Sequence, residues 1–488
     1  MAAVCYPLAS PPGTIRLWIG VHPASAMPAV ADWRLDGVPV PAANVTSLRA
    51  MGPVRAGELA ATKAARVFTG VYEIAAVSPG TIPSLAFTVD GEVLEQRVRA
   101  LPNRLVLGGE PLTVLLVSCF HYTTGSGPYQ RLLPDIVRGA HPPDLAIFMG
   151  DQVYLDLPTV ADFENDAEWL AVKFERDYVR NWFSGAFTAG LGLAPMAMLP
   201  DDHEFWNNFP HSSPFIQNSW AQPGRDRWET AARACYAGFQ HGSGDLLGTP
   251  LALDIEPLAF LMLDSRTDRD RDFTRLLRPE ASRQVADWAT RVADDSRFSA
   301  AVVVTGQSLL EDPVGTVKGG VADYALANYK EPYRDLLLAL EAVAGAGKQV
   351  LLLTGDVHWG RVTTVRDRRR VPEATVFHEL ISSPASLVET IGSDQVATAI
   401  GVVKGWFGGN DPWPRHGDAQ PPPSHLPHAN QRFRTGPWRA HRGNQCAVLR
   451  MARRGAGVSV EYTFHPLITT ARSGAAPTTG RFDLGPVI

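Results

Sequence analysis

Short apolar runs separated by polar turns dominate the first hundred residues. Residues 14–21, 65–74 and 85–89 are rich in β-branched and aromatic side chains, and Pro, Gly or Asp bounds each run. Asp90-Gly91 is a strong hairpin signal. This pattern predicts an N-terminal β-sandwich domain, immunoglobulin- or fibronectin-like, over residues 1–105.

The pattern changes beyond residue 105, where apolar runs alternate with amphipathic segments. The runs lie at residues 112–118, 145–149, 196–199, 258–263, 300–304 and 349–353. Amphipathic segments at residues 166–183 and 281–292 predict helices between them. A layered α/β domain over residues 106–488 is therefore predicted, closed by strands near residues 445–451 and 458–464.

One segment, from about residue 405 to 444, lacks this periodicity. It holds the proline run at residues 421–423 together with Trp406, Trp413, Trp438, His416, His425, His428 and His441. A structureless loop of this length is usually functional or mobile. We interpret it as a lid or surface wrap, with metal ligands among its histidines as the alternative.

Length and charge restrict the function classes. At 488 residues the chain exceeds the roughly 250 to 300 at which one core stops growing, so two domains or one domain with insertions are expected. A net charge of −5 argues against nucleic-acid binding by bulk phosphate neutralisation, although it permits a local basic pocket. Four scattered cysteines form no disulfide framework.

The N-terminus lacks a basic region followed by a long apolar core, and no run approaches ~18 apolar residues. These features predict a soluble cytoplasmic protein with no membrane partner. A leader that had been removed would make it a secreted protein instead.

Side chains that bind metals follow four of the apolar runs. They are Cys119 and His121, then Asp151 and Tyr154, then Asp201, Asp202 and His203, and then Asp356 and His358. Because open α/β sheets place such strand ends along one edge, these groups are expected to form one site. Two cations about 3.5 to 4 Å apart can share a carboxylate, for which we choose Asp151.

Such a site suits phosphoryl transfer. A metal-bound hydroxide would be the nucleophile, so no serine or cysteine nucleophile is needed. His203, beside a ligand, could protonate the leaving-group oxygen.

Six motifs, in the same order, closely resemble those of the PhoD-like alkaline phosphatase and phosphodiesterase family, within the calcineurin-like metallophosphoesterases. They span about residues 105 to 390 and read Ser118-Cys119, Gly150-Asp151-x-x-Tyr154-x-Asp156, Asp201-Asp202-His203-Glu204-x-x-Asn207-Asn208, Leu263-Asp264-x-Arg266, Gly355-Asp356-x-His358 and Glu379-Leu380-x-Ser382-Ser383-Pro384. The resemblance implies two mixed β-sheets flanked by helices, preceded by a small β-sandwich.

The resemblance also implies the ligands of two unlike ions. An iron-type ion would take Cys119, Asp151, Tyr154, Asp356 and His358. A second ion, calcium, would share Asp151 and add Asp202 and either Asn207 or Asn208. Thiolate, phenolate and imidazole suit iron or zinc, whereas carboxylate and amide oxygens suit calcium, magnesium or manganese.

Other motif residues receive more ordinary interpretations. Arg266 can make a bidentate contact to phosphate oxygens. Glu204 is interpreted as a structural hydrogen-bond acceptor, and residues 382–384 as a structural turn near the metals. Asp156 and Asp201 are either turn residues or partners of the ligands.

The predicted function is hydrolysis of a small-molecule phosphate ester. A diester is weakly preferred over a monoester, because the twin-arginine leader common in the family is not seen. The alternatives are a catalytically inactive metal-binding interaction protein with the same fold, and a redox enzyme that uses an iron centre.

Overall fold

The structure, a computed structural model, describes most of the chain. The described residues are 2–24, 26–51, 66–122, 127–140, 142–157, 163–241, 247–321, 323–386, 433–435, 439–441, 443–467 and 476–486. Most of the predicted loop at 405–444 lies outside them, including Trp406, Trp413, Trp438, His416, His425 and His428.

Strands make up most of the regular structure. They are β1 (Ala2–Leu8), β2 (Ile15–Ala24), β3 (Val30–Leu35), β4 (Val38–Pro39), β5 (Ala43–Ala50), β6 (Arg66–Ile74), β7 (Ser84–Val89), β8 (Glu92–Arg97), β9 (Leu112–Val117), β10 (Leu145–Met149), β11 (Met196–Leu199), β12 (Leu251–Ile255), β13 (Leu258–Met262), β14 (Ala300–Thr305), β15 (Gln349–Thr354), β16 (Gly360–Asp367), β17 (Ala374–Ile381), β18 (Phe433–Thr435), β19 (Arg439–His441), β20 (Gln445–Arg454), β21 (Gly457–Pro466) and β22 (Thr478–Leu484). The α-helices are α1 (Gly127–Ala140), α2 (Ala167–Val179), α3 (Gln222–Phe239), α4 (Pro279–Asp294), α5 (Thr316–Val321) and α6 (Lys330–Gly345).

Two large mixed sheets form the body of the molecule. The first has the order β22-β21-β20-β9-β10-β11-β1-β2-β6-β5, and its central strands β9, β10 and β11 are parallel. The second has the order β12-β13-β14-β15-β17-β16-β18, with β19 paired to β16. Strands β13, β14, β15 and β17 run parallel.

The two sheets pack face to face. One hydrophobic core joins Leu116 and Ile147 of the first sheet to Val302 and Leu351 of the second. Because strand side chains alternate, each sheet has a second apolar face, and helices cover it. Helices α1 to α3 lie on the first sheet, and α4 and α6 on the second. This arrangement confirms the predicted α/β sandwich of two mixed sheets flanked by helices.

The N-terminal residues contribute to two sheets. Strand β1 pairs in parallel with β11, with Leu8 opposite Met196, so β1, β2, β6 and β5 extend the first sheet. A third sheet has the order β4-β3-β7-β8 and shares a separate apolar core with them. The Asp90-Gly91 hairpin is confirmed, since both residues have positive φ, 49° and 83°. The boundary of an N-terminal domain at residue 105 stays a prediction.

The apolar runs became strands as predicted, and helices α2 and α4 lie within or near their predicted segments. The segment at 405–444 needs one correction, because it contains β18 and β19, both paired antiparallel with β16. Each is three residues long, too short to show strand alternation in the sequence. Among the described helices, none is both long and apolar enough to cross a membrane.

Candidate metal centre

Glycine lets the strand ends approach one another at the site. Gly150 follows β10 with φ +86°, and a Cβ there would lie 2.6 Å from the Cβ of Asp201. A Cβ on Gly355, after β15, would lie 2.1 Å from the carbonyl oxygen of Met149. Both distances are too short for any side chain. The Gly-Asp sequence therefore brings Asp151 and Asp356 to one edge shared by the two sheets.

The backbone is strained at the same edge. Positive φ angles are 54° at Cys119, 58° at Asp151, 65° at Asp356, 59° at His358 and 71° at Asn208. Left-handed backbone is uncommon for residues other than glycine, and it persists where surrounding structure holds it in place. Its concentration at predicted ligands indicates a functional site.

The first group of candidate ligands contains Cys119, Asp151 and His358. One ligand atom from each lies within 4.8 Å of the others. The Sγ of Cys119 lies 3.4 Å from Oδ2 of Asp151, and the hydroxyl of Tyr154 lies 3.4 Å from the same oxygen. Four of the five residues predicted for the iron-type ion therefore converge.

Asp356, the fifth residue, has its carboxylate outside this first group. Its backbone carbonyl oxygen lies 3.6 Å from Sγ of Cys119, but its carboxylate forms a separate group with Asp201 and Asp323. Gln307 Nε2 donates to Oδ2 of Asp356 at 3.2 Å. Among the described residues, the Asp356 carboxylate is thus not in the same 4.8 Å group as Cys119.

The second group contains Asp151, Asp202 and His203, again within 4.8 Å of one another. Asp151 belongs to both groups, which is the arrangement expected of a shared carboxylate. Asn208 lies beside them, since its backbone N–H donates to Oδ2 of Asp202 at 2.6 Å.

The amide groups near Asp202 have unused hydrogen-bonding capacity. Asn208 is 0% exposed, and neither its amide oxygen nor its amide nitrogen has a hydrogen-bond partner in the described part of the chain. The buried Oδ1 of Asn207 is also without a partner there. Leaving a buried acceptor unpaired costs about 1 to 3 kcal/mol, and a cation would remove that cost.

The site holds more acidic groups than basic groups can neutralise. Burial raises the pKa of Asp151 well above the usual carboxyl range, and the charge of His203 opposes this only in part. Burial likewise raises the pKa of Asp202 to about 7. Burial, and then the charge of Asp151, raise the pKa of the Cys119 thiol. Cations would stabilise all three as anions, and these donors fit the two ions that the sequence predicts.

Glu204 holds two of the motif loops together. Its carboxylate accepts hydrogen bonds from the backbone N–H groups of Asp151 at 3.0 Å, Gln152 at 2.6 Å and Asp201 at 2.9 Å. Its interpretation as a structural acceptor is confirmed. The turn at residues 382–384 is also beside the site, since Ser383 Oγ donates to Sγ of Cys119 at 3.1 Å.

His203 is oriented by a buried carboxylate. Its Nδ1 lies 2.8 Å from Oδ1 of Asp156, whose other oxygen accepts from the N–H of Asn207 at 2.8 Å. The ring of Tyr154 packs on the imidazole, with 4.1 Å between ring centroids. Burial alone would lower the pKa of His203, but Asp156, Asp202 and Asp151 outweigh it, so that pKa lies well above its ordinary value.

Arg266 is fully engaged within the protein. It is 0% exposed, and its Nε donates to Asp201 at 2.6 Å while Nη1 donates to the carbonyl oxygen of Phe209 at 2.8 Å. Both oxygens of Asp323 accept from its guanidinium, at 3.2 and 2.6 Å. A bidentate contact to phosphate requires Asp323 to release Arg266, so that role stays a prediction.

Two residues of the site, Asp323 and Gln307, are not among those predicted from the sequence. Asp323 lies between α5 and the next helical turn, where no apolar pattern marks it. Gln307 follows β14 after Gly306, a strand end like those that carry Asp151 and Asp356. This position after a strand could have identified Gln307 as a residue of the site, although glutamine is not a typical metal ligand.

Comparison with known proteins supports the fold. No protein-family model matches the chain, and no curated protein matches it significantly. A solved structure titled "Structure of PhoD" aligns with 99% of this chain and 90% of its own, at a TM-score of 0.60 and 15% identity. A second, titled "GAP50 the anchor in the inner membrane complex of Plasmodium", covers 78% of this chain and 90% of its own at 8% identity. Its TM-score of 0.35 is too low to support an argument.

The match to the PhoD structure shows a shared fold over nearly the whole chain. It agrees with the architecture that the six motifs imply.

Proposed function

We propose that this protein is a metal-dependent phosphoesterase that hydrolyses small-molecule phosphate monoesters or diesters. One observation carries the proposal: Asp151 belongs to two groups of metal-binding side chains at a single sheet edge. A carboxylate in that position can be shared by two cations, as hydrolysis of phosphate esters by two-metal sites requires. The fold shared with the PhoD structure supports the same reaction class.

Two different ions fit the two groups. Cys119, Tyr154, His358 and Asp151 would hold an iron-type or zinc ion, with Asp356 as the fifth proposed ligand, although its carboxylate is grouped with Asp201 and Asp323 in the structure. Asp151, Asp202 and Asn208 or Asn207 would hold calcium, magnesium or manganese. When bound, these ions would stabilise charge on the phosphoryl group and lower the pKa of water enough to make it a nucleophile.

His203 is the proposed proton donor. Asp156 accepts a hydrogen bond from Nδ1 of His203, which fixes the orientation of the ring. The other proton of the imidazolium is then at Nε2. Asp156 and the neighbouring carboxylates raise the pKa of His203 above its ordinary value, which favours the protonated form that would supply that proton to the leaving-group oxygen. Arg266 forms ion pairs with Asp201 and Asp323, and it reaches a phosphate only when Asp323 moves away.

The test is ester hydrolysis by the purified full-length protein, with p-nitrophenyl phosphate as monoester and bis(p-nitrophenyl) phosphate as diester. We expect hydrolysis that a chelator abolishes and added metal restores. Asp151→Asn should lose more than about 100-fold in kcat, because it removes the carboxylate shared by both ions. Asp287→Asn, an exposed change on α4, is the matched control and should keep full activity.

The same experiment separates the alternatives. Bound metal with no turnover of either ester would support an inactive metal-binding protein. A redox-active iron centre without hydrolysis would support the redox enzyme. Full activity of Asp151→Asn would contradict the proposed mechanism.

A further inference from the structure

The loop after β14 is held rigidly at the edge of the site. One oxygen of the buried Glu379 carboxylate accepts from Ser308 Oγ at 3.0 Å, from the N–H of Leu309 at 2.9 Å and from the N–H of Leu310 at 3.2 Å. Thr305 Oγ1 donates to the carbonyl oxygen of Gln307 at 2.6 Å. These contacts fix the backbone on both sides of Gln307.

The orientation of the Gln307 amide is fixed as well. Arg269 Nη2 donates to Oε1 of Gln307 at 2.8 Å, and Nε of the same arginine donates to the carbonyl oxygen of Ser265 at 2.6 Å. Arginine has donors only, so the amide oxygen must face Arg269 and the NH₂ group must face the other way. Gln307 is 3% exposed, which leaves it little room to turn over.

The NH₂ group of Gln307 points at the acidic groups of the site. It donates to Oδ2 of Asp323 at 2.6 Å and to Oδ2 of Asp356 at 3.2 Å, and it also lies 3.2 Å from the carbonyl oxygen of Tyr324. Gln307 therefore connects Asp356 to the ion pair between Arg266 and Asp323.

We infer that Gln307 is a positioning residue for Asp356, an inference that rests on the proposed function. By donating to Oδ2 at 3.2 Å, it restricts rotation of the Asp356 carboxylate and so sets the orientation in which that carboxylate would bind an ion. Partners of this kind orient metal-binding carboxylates, and their loss typically costs about 10- to 100-fold in metal affinity or activity.

The test measures zinc binding and hydrolysis for full-length Gln307→Met and Gln307→Glu. Methionine conserves volume without donors, whereas glutamate keeps an acceptor for Arg269 but loses the donor to Asp356. The control is Gln349→Ala, because Gln349 starts the strand β15 that leads to Asp356, and its Nε2 donates to the carbonyl oxygen of Thr375 at 3.0 Å.

We expect both Gln307 variants to bind Zn²⁺ about 10- to 100-fold more weakly, in competition with a chromophoric chelator, and to lose kcat with little change in KM. Gln349→Ala should stay within about twofold of the unchanged protein in both measurements. Both metal-stripped variants should unfold at a somewhat lower temperature than the stripped unchanged protein, because methionine leaves Arg269 Nη2 without this acceptor and glutamate places a carboxylate against Asp323. Zn²⁺ affinity is therefore compared at a temperature at which every stripped protein is folded.

Three results would overturn the inference. One is unchanged Zn²⁺ affinity and kcat in both Gln307 variants. A second is a lower unfolding temperature of the stripped variants with unchanged Zn²⁺ affinity, which would indicate a packing role. The third is a lower KM at unchanged kcat, which would mean that Gln307 acts by holding Asp323 on Arg266. Asp151→Asn is measured in parallel: if it keeps metal and activity, the proposed function itself fails, whichever result Gln307 gives.

Discussion

Replacing Asp156 by asparagine tests the proposed proton donor. Asp156 is 0% exposed, and its Oδ1 lies 2.8 Å from Nδ1 of His203. Asparagine keeps the shape of the side chain and the capacity to accept this hydrogen bond, but it removes a negative charge. A hydrogen bond to a charged group is worth about 1.5 to 3 kcal/mol, so the His203 imidazolium loses stabilisation of that order.

This loss should appear in the pH dependence of kcat. A proton donor whose pKa falls loses its proton at a lower pH, so the alkaline limb should move to lower pH by about one to two units, at 1.36 kcal/mol per unit. Above that limb the variant should be about 10- to 100-fold slower. The slowing should be greater for a phenyl ester than for a p-nitrophenyl ester, because the poorer leaving group needs the proton more.

Asp367→Asn is the control for removing a buried carboxylate. Asp367 is buried at the far end of β16 and accepts from the N–H of Arg369 at 3.0 Å. Its replacement should leave the pH profile of kcat unchanged. An unmoved alkaline limb in Asp156→Asn, or equal slowing of both esters, would refute His203 as the proton donor.

Three further predictions concern stability. Glu379→Gln should cost about 3 to 5 kcal/mol in urea unfolding at pH 7.5, because it removes the fully buried carboxylate that pairs with the buried Arg361. Burial lowers the pKa of His378 from 6.5 to about 3. Below pH 6.5 the unfolded chain therefore binds more protons at this residue than the folded protein does. The free energy of unfolding is therefore unaffected by His378 above pH 6.5 and falls as the pH decreases below it. His378→Phe removes this titration, so at pH 5 the variant should lose about 2 kcal/mol less of its pH 7.5 stability than the unchanged protein does. Gly150→Ala should destabilise the protein by about 1 to 3 kcal/mol more than Gly37→Ala, since both glycines have positive φ but only Gly150 is crowded.

Matched measurements decide each of these predictions. Glu280→Gln breaks an exposed ion pair with Arg283 and should cost less than about 1 kcal/mol, so an equal cost for Glu379→Gln would contradict the first prediction. Equal pH dependence of unfolding with and without His378 would contradict the second. Equal unfolding temperatures for the two glycine variants would contradict the third.

Much of the site could be predicted because its signal is local. Each ligand follows a short buried strand, and parallel strands place their carboxyl ends along one edge. The glycines before Asp151 and Asp356 mark the close contacts that this edge requires. These rules predict that Cys119, Asp151, Tyr154 and His358 lie along one edge, whereas their assignment to a single ion is what the resemblance to the PhoD-like family implies.

The rest depends on contacts between distant parts of the chain. Asp323 pairs with Arg266 from a loop that carries no periodic pattern, and Gln307 donates to the carboxylates of both Asp323 and Asp356. The parallel pairing of β1 with β11 joins residues 8 and 196, and neither strand carries a sequence signal for its partner. Such pairings are set by tertiary packing, which local patterns do not encode.

The most direct measurement compares the metal content of the purified full-length protein with that of Asp151→Asn. Both proteins are purified in the same way and measured by elemental analysis. We expect about two ions per chain in the unchanged protein, with an iron-type or zinc ion among them, and a loss of both in the variant, because Asp151 belongs to both groups. Equal metal content in the two proteins would contradict the shared role of Asp151.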